Sequence, residues 1–283
     1  MENPEFRILH LYHVLMNLYG DWANTAILAR DINERGYDAV IDRKSVGDDV
    51  DLRRYCFIYI GSGTELSLRA CMRDIARFKD TLMGCIEEGV CVLATGNSHE
   101  LFGRAVTDAC GDRYETLGLL DFETIATDTR VTGDSVFSAQ FLPDKLIGFI
   151  NRAGHGQDGD IDRPFIAELG PGANDSSRSE GIKYRNLLGT YLTGPVLVRN
   201  PPLLHYFADI LITQHISPEG RRRAAQGSPT AHGPAVPQEG ITPGSGYGTP
   251  NPRRDEVLFA SQEAAYSMAL SELSARIKPI SSS

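Results

Sequence analysis

The segment VLATGNSHELFG, residues 92–103, has the form in which many α/β enzymes present a nucleophile. An apolar run is followed by a helical pattern, and a sharp strand-to-helix turn exposes the residue at its apex to the substrate. The apex residue here is Gly96, which has no side chain. The sequence therefore predicts the geometry of a nucleophile turn without the nucleophile.

Other nucleophilic side chains lie close to this turn. Ser98 and Thr95 carry hydroxyls, but a serine needs a positioned base to become nucleophilic. His99 follows Ser98 directly, and adjacent residues on a helix point about 100° apart and rarely pair. Cys91 precedes the apex by roughly 16 Å of extended strand, which favours a small buried residue over a catalytic one. We expect Ser98 to cap the following helix, with His99 or Glu100 facing solvent.

The bulk composition narrows the class of partner and cofactor. The chain has 283 residues and a formal net charge of −9, which disfavours a nucleic-acid or anionic-membrane surface. Its five cysteines lack CxxC spacing and fit free thiols in a reducing cytoplasm. His155 lies among aspartates, but their spacing matches no common metal-binding loop. We expect a cytoplasmic protein with no cofactor, no metal, no signal peptide and no membrane span.

The first 112 residues alternate between strand-like and helix-like stretches. Strands that are apolar on both faces and alternate with helices are typical of a parallel sheet covered on both sides. The predicted fold class is therefore α/β, a three-layer sandwich with a mostly parallel sheet. Strands are predicted at residues 6–12, 38–42, 55–60 and 90–95, and helices at 22–35, 65–88 and about 99–110.

The pattern changes beyond residue 112. Short strands are predicted between residues 115 and 152, a long polar surface loop at 153–182, a strand at 187–192 and a helix from Asn200 onward. One domain is predicted to span residues 1–216.

The C-terminal part divides into a linker and a helix. Residues 217–252 contain seven prolines and seven glycines, which predicts a flexible, disordered linker. A C-terminal helix is predicted within residues 253–283, because Ala265, Ala269, Leu273 and Ile277 recur at helical spacing. This helix either docks on the preceding domain or binds a partner, and docking is the favoured interpretation.

A series of short motifs between residues 6 and 216 follows a recognisable order. The motifs are HLY at 10–12, LYGD at 18–21 with Asn24, IGSG at 60–63, the turn at 92–103, LGLLDFET at 117–124 with Arg130, IGF at 147–149, and GTYLTGPVL at 189–197 with Asn200 and Pro201. Together they resemble the class I glutamine amidotransferases of the CobB/CobQ type. They are similar in particular to the amidotransferase subunit (GatD-type) of lipid II isoglutaminyl synthase. The resemblance implies a flavodoxin-like, doubly wound sheet.

The resemblance also implies a chemistry that this sequence lacks. In the family a cysteine attacks the side-chain amide of glutamine, a histidine transfers the proton, and ammonia passes to a Mur-ligase-like protein subunit. The family's turn runs Cys-Gly-Gly-Tyr-Gln where this chain runs from Gly96 to Glu100, and Thr193 stands at the histidine position. The resemblance thus implies a catalytically degenerate scaffold, a structural or regulatory partner of a Mur-ligase-type enzyme in lipid II amidation. The alternative is an active glutaminase or hydrolase with a relocated serine or cysteine nucleophile.

Several retained positions are candidates for binding glutamine or a related small carboxylate. Arg130 matches a family position that helps to hold glutamine, and a guanidinium suits a carboxylate. Asp21 is either a site residue by the same resemblance or the N-cap of the helix that begins at Trp22. The Gly-rich turn after the third strand lines the oxyanion site in the family. The ligand-binding candidates are Arg130, Gly61, Ser62, Gly63, Asn97, Ser98 and Asp21.

Overall fold

The computed structural model describes residues 5–157, 159–173, 177–216 and 252–277. The first part of the chain alternates strands and helices, as the sequence predicts. The strands are β1 (Glu5–Leu11), β2 (Asp38–Lys44), β3 (Phe57–Ile60) and β4 (Cys91–Thr95). The helices are α1 (Trp22–Glu34), α2 (Glu65–Ile75) and α3 (Lys79–Glu87), with 3-10 turns at Leu52–Arg54 and Ala76–Phe78.

The second part is richer in strands. A 3-10 helix (Gly96–Phe102) leads into β5 (Ala105–Thr107), β6 (Arg113–Glu115), β7 (Glu123–Ser138), β8 (Leu146–Gln157), β9 (Phe165–Leu169), β10 (Ser179–Glu180), β11 (Ile182–Tyr184), β12 (Leu187–Thr190) and β13 (Leu192–Thr193). The remaining helices are α4 (Val196–Arg199), α5 (Pro201–Ile216) and α6 (Pro252–Ser274).

The first sheet has six strands in the order β11-β12-β4-β3-β1-β2. Its pairs are parallel except at the β11 edge, where β11 runs antiparallel to β12. The chain therefore winds outward in both directions from between β1 and β3, which is the doubly wound, flavodoxin-like order. In such sheets ligands bind beyond the carboxyl ends of the strands, at the point where the winding reverses.

Helices cover both faces of this sheet. Along β3, Ile58 and Ile60 face a core formed with α2 and α3, while Phe57 and Tyr59 face a core formed with α1 and α5. Successive side chains of a strand point to opposite faces, so strands that are apolar throughout require a helix layer on each side. The predicted α/β three-layer sandwich is confirmed.

The second sheet is mainly antiparallel. Its order is β10-β9-β7-β5-β6, and β8 pairs with both β7 and β13. The late strand predicted at residues 187–192 is divided at Tyr191, so that β12 belongs to the first sheet and β13 to the second. The chain thus passes from the first sheet to the second at Tyr191, two residues before Thr193.

The helix predicted at residues 99–110 is wrong. The chain forms a 3-10 helix up to Phe102 and then the strand β5, which pairs with β6 and β7. A Cβ on Gly103 would come within 2.8 Å of the Phe122 carbonyl oxygen, and the Arg104 N–H donates to that oxygen. The close approach of the Phe122 backbone directs the chain into the second sheet rather than into another helical turn.

The surface loop predicted at residues 153–182 is also wrong. Strand β8 continues to Gln157, and β9 and β10 follow within the same range. Gly154 and Gly156 are buried in β8, where Gly154 pairs with Ala126 and Gly156 with Thr124. The polar, Gly-rich composition indicates a loop, yet these glycines allow Glu100, Tyr191 and Arg163 to approach the strand closely.

The C-terminal helix α6 docks on the second sheet. Tyr266 is 6% exposed and packs with Val136 of β7 and Ile147 of β8, and its hydroxyl donates to the Lys145 carbonyl at 2.6 Å. Gln262 donates to two carbonyls of α4. Docking, the favoured interpretation, is thus what the structure shows. The linker predicted at 217–252 lies outside the described residues except for Pro252, which begins α6.

Among the described residues, no helix has the length and apolar character that crossing a membrane requires.

Replacing Tyr266 with alanine tests the docking of α6. Tyr266→Ala removes a buried ring and a hydrogen bond, so we expect the free energy of unfolding to fall by about 3 kcal/mol. Met268→Ala is the matched control on the same helix, because Met268 is 73% exposed and should change stability little. Urea denaturation of the full chain measures both. Equal effects of the two substitutions would contradict a docked helix.

Candidate functional site

A cleft lies beyond the carboxyl ends of the parallel strands, where the doubly wound order predicts a ligand site. Its empty space amounts to about 630 Å³, including the open mouth. Gly96 and Thr193, which the resemblance places at the nucleophile and base positions, both line it. The lining residues are Tyr19, Ser62, Gly63, Glu65, Leu68, Arg69, Met72, Gly96, Asn97, Glu100, Val106, Asp108, Tyr114, Ala126, Arg130, Asn151, Arg152, Ala153, Gly154, Tyr191 and Thr193.

The backbone at the turn keeps the conformation of a nucleophile turn. Gly96 has φ +62°, in the left-handed region that glycine adopts without strain. A Cβ at this position would lie 2.7 Å from the Ser62 Cβ and closer still to its Oγ. The Ser62 side chain therefore fills the space into which a side chain at position 96 would project.

Ser62 is held in that place by the turn itself. It is 1% exposed, and its Oγ donates to the Thr95 carbonyl oxygen at 3.3 Å. The neighbouring amide is also engaged, because the Gly63 N–H donates to Asn97 Oδ1 at 3.1 Å. This N–H belongs to the Gly-rich turn that the sequence predicts to face an anion. In this structure Asn97 Oδ1 accepts the hydrogen bond that an anion would otherwise accept from this N–H.

Ser98 and His99 do not form a nucleophile–base pair. Ser98 Oγ lies 2.9 Å from the carbonyl oxygens of both Ile60 and Thr95, and His99 Nδ1 lies 2.7 Å from the Gly96 carbonyl oxygen. Burial lowers the pKa of His99 to about 4, so its ring is neutral at physiological pH. The prediction that Ser98 caps a helix while His99 or Glu100 faces solvent is wrong, since all three are buried.

Two further predictions of the sequence analysis concern the polar groups around β4. Cys91 is fully buried and its pKa is raised by burial, which fits the expected structural role. Asp21 occupies the N-cap position of α1, as one of the two alternatives predicted, but its side chain makes no capping hydrogen bond. It accepts hydrogen bonds from the Tyr19 N–H at 3.0 Å, the Tyr59 hydroxyl at 3.2 Å and the Thr95 hydroxyl at 3.3 Å. The Asp21 carboxyl thus stabilises the residues next to the turn, rather than the first turn of α1.

The pKa of Asp21 reflects this position. Burial raises it, against the lowering effect of the hydrogen bonds from Tyr19, Ser62, Tyr59 and Thr95. Asn24 extends the network by donating to the Tyr59 hydroxyl at 2.7 Å and accepting from the Leu197 N–H at 2.7 Å.

Thr193, at the family's base position, is engaged with the backbone. Its hydroxyl donates to the Phe149 carbonyl oxygen at 2.9 Å, across the β8–β13 pair. A threonine hydroxyl does not accept a proton at neutral pH, so it supplies no base to the cleft.

Arg130, predicted to bind a ligand carboxylate, lines the cleft. Its Nη1 is 2.6 Å from Glu65 Oε1, and its Nε donates to Asn151 Oδ1 at 2.7 Å. Burial raises the pKa of Glu65, but the hydrogen bond and charge of Arg130, the Glu65 N–H and the charge of Arg69 together lower it, so the net shift is downward. Asn151 also donates to the Tyr19 hydroxyl at 3.0 Å. With the donation from Arg130 Nη2 to the Asn151 carbonyl oxygen at 3.4 Å, three polar contacts hold the guanidinium at the cleft wall.

Sequence reasoning missed two charged residues of the cleft, Glu100 and Arg152. Glu100 is 4% exposed, accepts from the Tyr191 hydroxyl at 2.9 Å, and has its pKa raised to about 7 by burial. Arg152 is 2% exposed, donates to the Gly154 carbonyl at 2.7 Å, and lies 5.6 Å from the Tyr191 ring centroid. The one available signal was the carboxyl at position 100, where the family's turn has a neutral glutamine.

His155 lies in strand β8, with its Nε2 3.3 Å from the Thr127 hydroxyl. Among the described residues, no group of three or more metal-ligating side chains surrounds it.

The chain is similar to known proteins over most of its length. The CobB/CobQ-like glutamine amidotransferase domain matches residues 7–201. The chain belongs to this family. The "Lipid II isoglutaminyl synthase (glutamine-hydrolyzing) subunit GatD" of Streptococcus pneumoniae (strain ATCC BAA-255 / R6) is 30% identical over 203 residues, covering 71% of this chain and 78% of the relative.

A second relative is similar to the same degree. The protein of the same name from Staphylococcus aureus (strain N315) is 28% identical over 205 residues, covering 72% of this chain and 84% of the relative. A solved structure titled "Crystal structure of glutamine amidotransferase" aligns with a TM-score of 0.48 at 14% identity, over 72% of this chain and 98% of the other.

The contact between positions 62 and 96 is tested by a double-mutant cycle. Gly96→Ala should lower the free energy of unfolding by about 3 kcal/mol, from positive-φ strain and from the clash with Ser62. In the Ser62→Gly background we expect about 1–2 kcal/mol of that loss to disappear. Gly36→Ala is the matched control, since Gly36 has φ +87° but no atom within 4 Å of its Cβ position. Additive effects of Ser62→Gly and Gly96→Ala would show that the clash is absent.

The buried carboxyl of Glu180 predicts a pH dependence of stability. It lies outside the cleft, accepts from Thr190 and Tyr191, and burial raises its pKa from 4.5 to about 7. Because its folded pKa exceeds the unfolded value, the stability it confers is complete below pH 4.5 and is lost as the pH rises through 7.

The free energy of unfolding of Glu180→Gln, measured relative to wild type, should therefore be higher at pH 8 than at pH 5, by up to about 3 kcal/mol. Denaturation curves at the two pH values measure the difference between variant and wild type. Glu115→Gln, at a side chain that is 74% exposed, controls for loss of one charge. An identical pH response in wild type and Glu180→Gln would show that Glu180 does not carry the effect.

Proposed function

We propose that this chain is a cytoplasmic glutamine amidotransferase-like subunit that lacks glutaminase activity. It acts as a structural or regulatory partner of a Mur-ligase-type enzyme in the amidation of lipid II. The cleft remains available to glutamine or a related small carboxylate through Arg130. The relatives' names, which include glutamine hydrolysis and lipid II isoglutaminyl synthase, support the choice of pathway.

One observation carries the proposal that the chemistry is lost. The nucleophile position is a glycine, and the Ser62 side chain fills the space beside it. A thiolate attacking an amide also needs N–H groups free to stabilise the oxyanion, and the Gly63 N–H in this turn donates to Asn97 instead. Substitution of the nucleophile is thus accompanied by filling of the space around it.

The alternative with a relocated nucleophile has weaker support. Ser98 is within hydrogen-bond distance of two carbonyl oxygens, and His99 contacts the backbone rather than Ser98. Ser62 is the serine that lines the cleft, and its Oγ donates to a carbonyl oxygen rather than to a base. A serine without a base has the reactivity of an ordinary alcohol.

Ammonia release from glutamine tests the proposal. The purified full chain should release none above background, either alone or with a co-expressed Mur-ligase-type protein. Saturable turnover that a Ser62→Ala, Ser98→Ala or cysteine variant removes would establish the alternative instead. Co-purification of the ligase, with a change in its amidation rate when ammonium is supplied, is the result expected of a structural or regulatory partner.

Introducing a cysteine at position 96 and a histidine at position 193 tests whether Ser62 closes the site. Gly96→Cys with Thr193→His should remain inactive, because Ser62 obstructs the new side chain. Adding Ser62→Gly should open that space and give a thiol that reacts faster with a glutamine-like alkylating agent than a surface thiol does. Equal thiol reactivity with and without Ser62→Gly would show that Ser62 does not close the site.

A further inference from the structure

Glu100 is the acidic residue of the cleft that has no ion pair with any described residue. The other two acidic residues are neutralised: Glu65 lies 2.6 Å from Arg130, and Asp108 lies 2.6 Å from Arg69. Glu100 has a single hydrogen-bond donor, the Tyr191 hydroxyl at 2.9 Å. It is 4% exposed and lines the cleft within the turn that begins at Gly96.

A carboxylate in this position requires a cation. Removing an ionised carboxyl from water is strongly unfavourable unless an opposite charge or several donors replace the water. Burial raises the pKa of Glu100 to about 7, the negative charge of Glu65 raises it further, and Tyr191, Arg152 and Arg130 lower it. Near neutral pH this carboxyl is therefore partly protonated, and a cationic ligand group beside it would ionise it.

The other wall of the cleft can hold a carboxylate. Three contacts of the Arg130 guanidinium are directed to Glu65 and Asn151. A guanidinium has five N–H donors, so two remain for a ligand. The Arg130 side chain is 45% exposed, so an incoming anion can reach it. The cleft thus has an anion-binding group at its mouth and a buried carboxyl beside the turn.

We propose that the cleft binds a small amino acid whose side chain ends in a primary ammonium group, with the ammonium at Glu100 and the α-carboxylate at Arg130. This inference rests on the proposed function, in which the cleft keeps a binding role after losing its chemistry. A neutral amide offers Glu100 a hydrogen bond but no charge, whereas an ammonium offers three donors and a full positive charge. The carboxyl at position 100 therefore favours an amino acid with a terminal ammonium over one with a terminal amide.

Titration calorimetry with three amino acids of similar length tests this specificity. At pH 8, we expect the full chain to bind L-ornithine about tenfold more tightly than L-glutamine, with L-norvaline weakest. Glu100→Gln should lose about tenfold for ornithine and nothing for glutamine. Glu180→Gln is the matched control, because Glu180 is equally buried, has its pKa raised to about 7, and lies outside the cleft. That variant should keep the wild-type order.

The pH profile gives a second, independent measurement on the wild-type chain. An ammonium requires Glu100 in its ionised form, so the affinity for ornithine should fall as the pH is lowered from 8 to 6. His99 stays neutral over this range, since burial lowers its pKa to about 4. Glu100→Gln should show a flat profile.

Three results would overturn the inference: glutamine binding as tightly as ornithine, unchanged preference in Glu100→Gln, or no detectable binding of any of the three. If Glu100→Gln fails to fold, the order of affinities and the pH profile of the wild type decide the question alone. The ammonia-release assay is read separately. Glutamine turnover would refute the proposed function, whereas failure to bind ornithine by an inactive chain would refute only this inference.

Discussion

The hydrogen bonds of the buried Asp21 carboxyl are the constraint on which the cleft depends. They tie the loop after β1 to the ends of β3 and β4 through Tyr59 and Thr95. Asn24 connects the same network to the Leu197 N–H in α4, shortly after Thr193. Four chain segments that are distant in sequence are thus held in register at one edge of the sheet. The energy of a buried carboxyl depends strongly on the positions of its hydrogen-bond donors. The network around Asp21 therefore fixes the conformation of the turn.

The turn lacks a side chain at position 96, and the space beside it is filled by other side chains. Gly96 keeps the left-handed backbone of the turn, while Ser62 fills the adjacent volume and Asn97 accepts from the Gly63 N–H. The outer part of the cleft is different, because its charged side chains are retained and ordered by contacts such as Arg130 with Glu65. One half of the site is therefore filled by the protein, and the other half remains open to a ligand.

Much of the fold could be predicted from the sequence, because strands such as FIYI in β3 are apolar on both faces and demand two helix layers. The second sheet was harder to predict. Strand β8 contains Gly154 and Gly156, whose burial depends on partners distant in sequence, and composition alone indicates a loop there. The helix predicted after residue 99 failed for the same reason, since Phe122 redirects the chain at Gly103.

The site shows the same division. Gly96, Ser62, Asn97, Arg130 and Thr193 all line the cleft, as their positions in the turn and strand ends indicate. Asp21 does occupy the N-cap position of α1, but its side chain bonds elsewhere, because a local pattern cannot reveal donors on Tyr59 and Thr95. Glu100 and Arg152 were missed because a charged residue near a turn is ordinarily solvated, and only the packing of Tyr191 encloses them.

The packing of Ser62 against Gly96 has a consequence for engineering the turn. A side chain at position 96 and the Ser62 side chain compete for the same volume in this backbone. Position 96 therefore accepts a side chain only together with a smaller residue at position 62 or a shift of the backbone. Any functional group introduced at this turn has to be designed as a pair of changes.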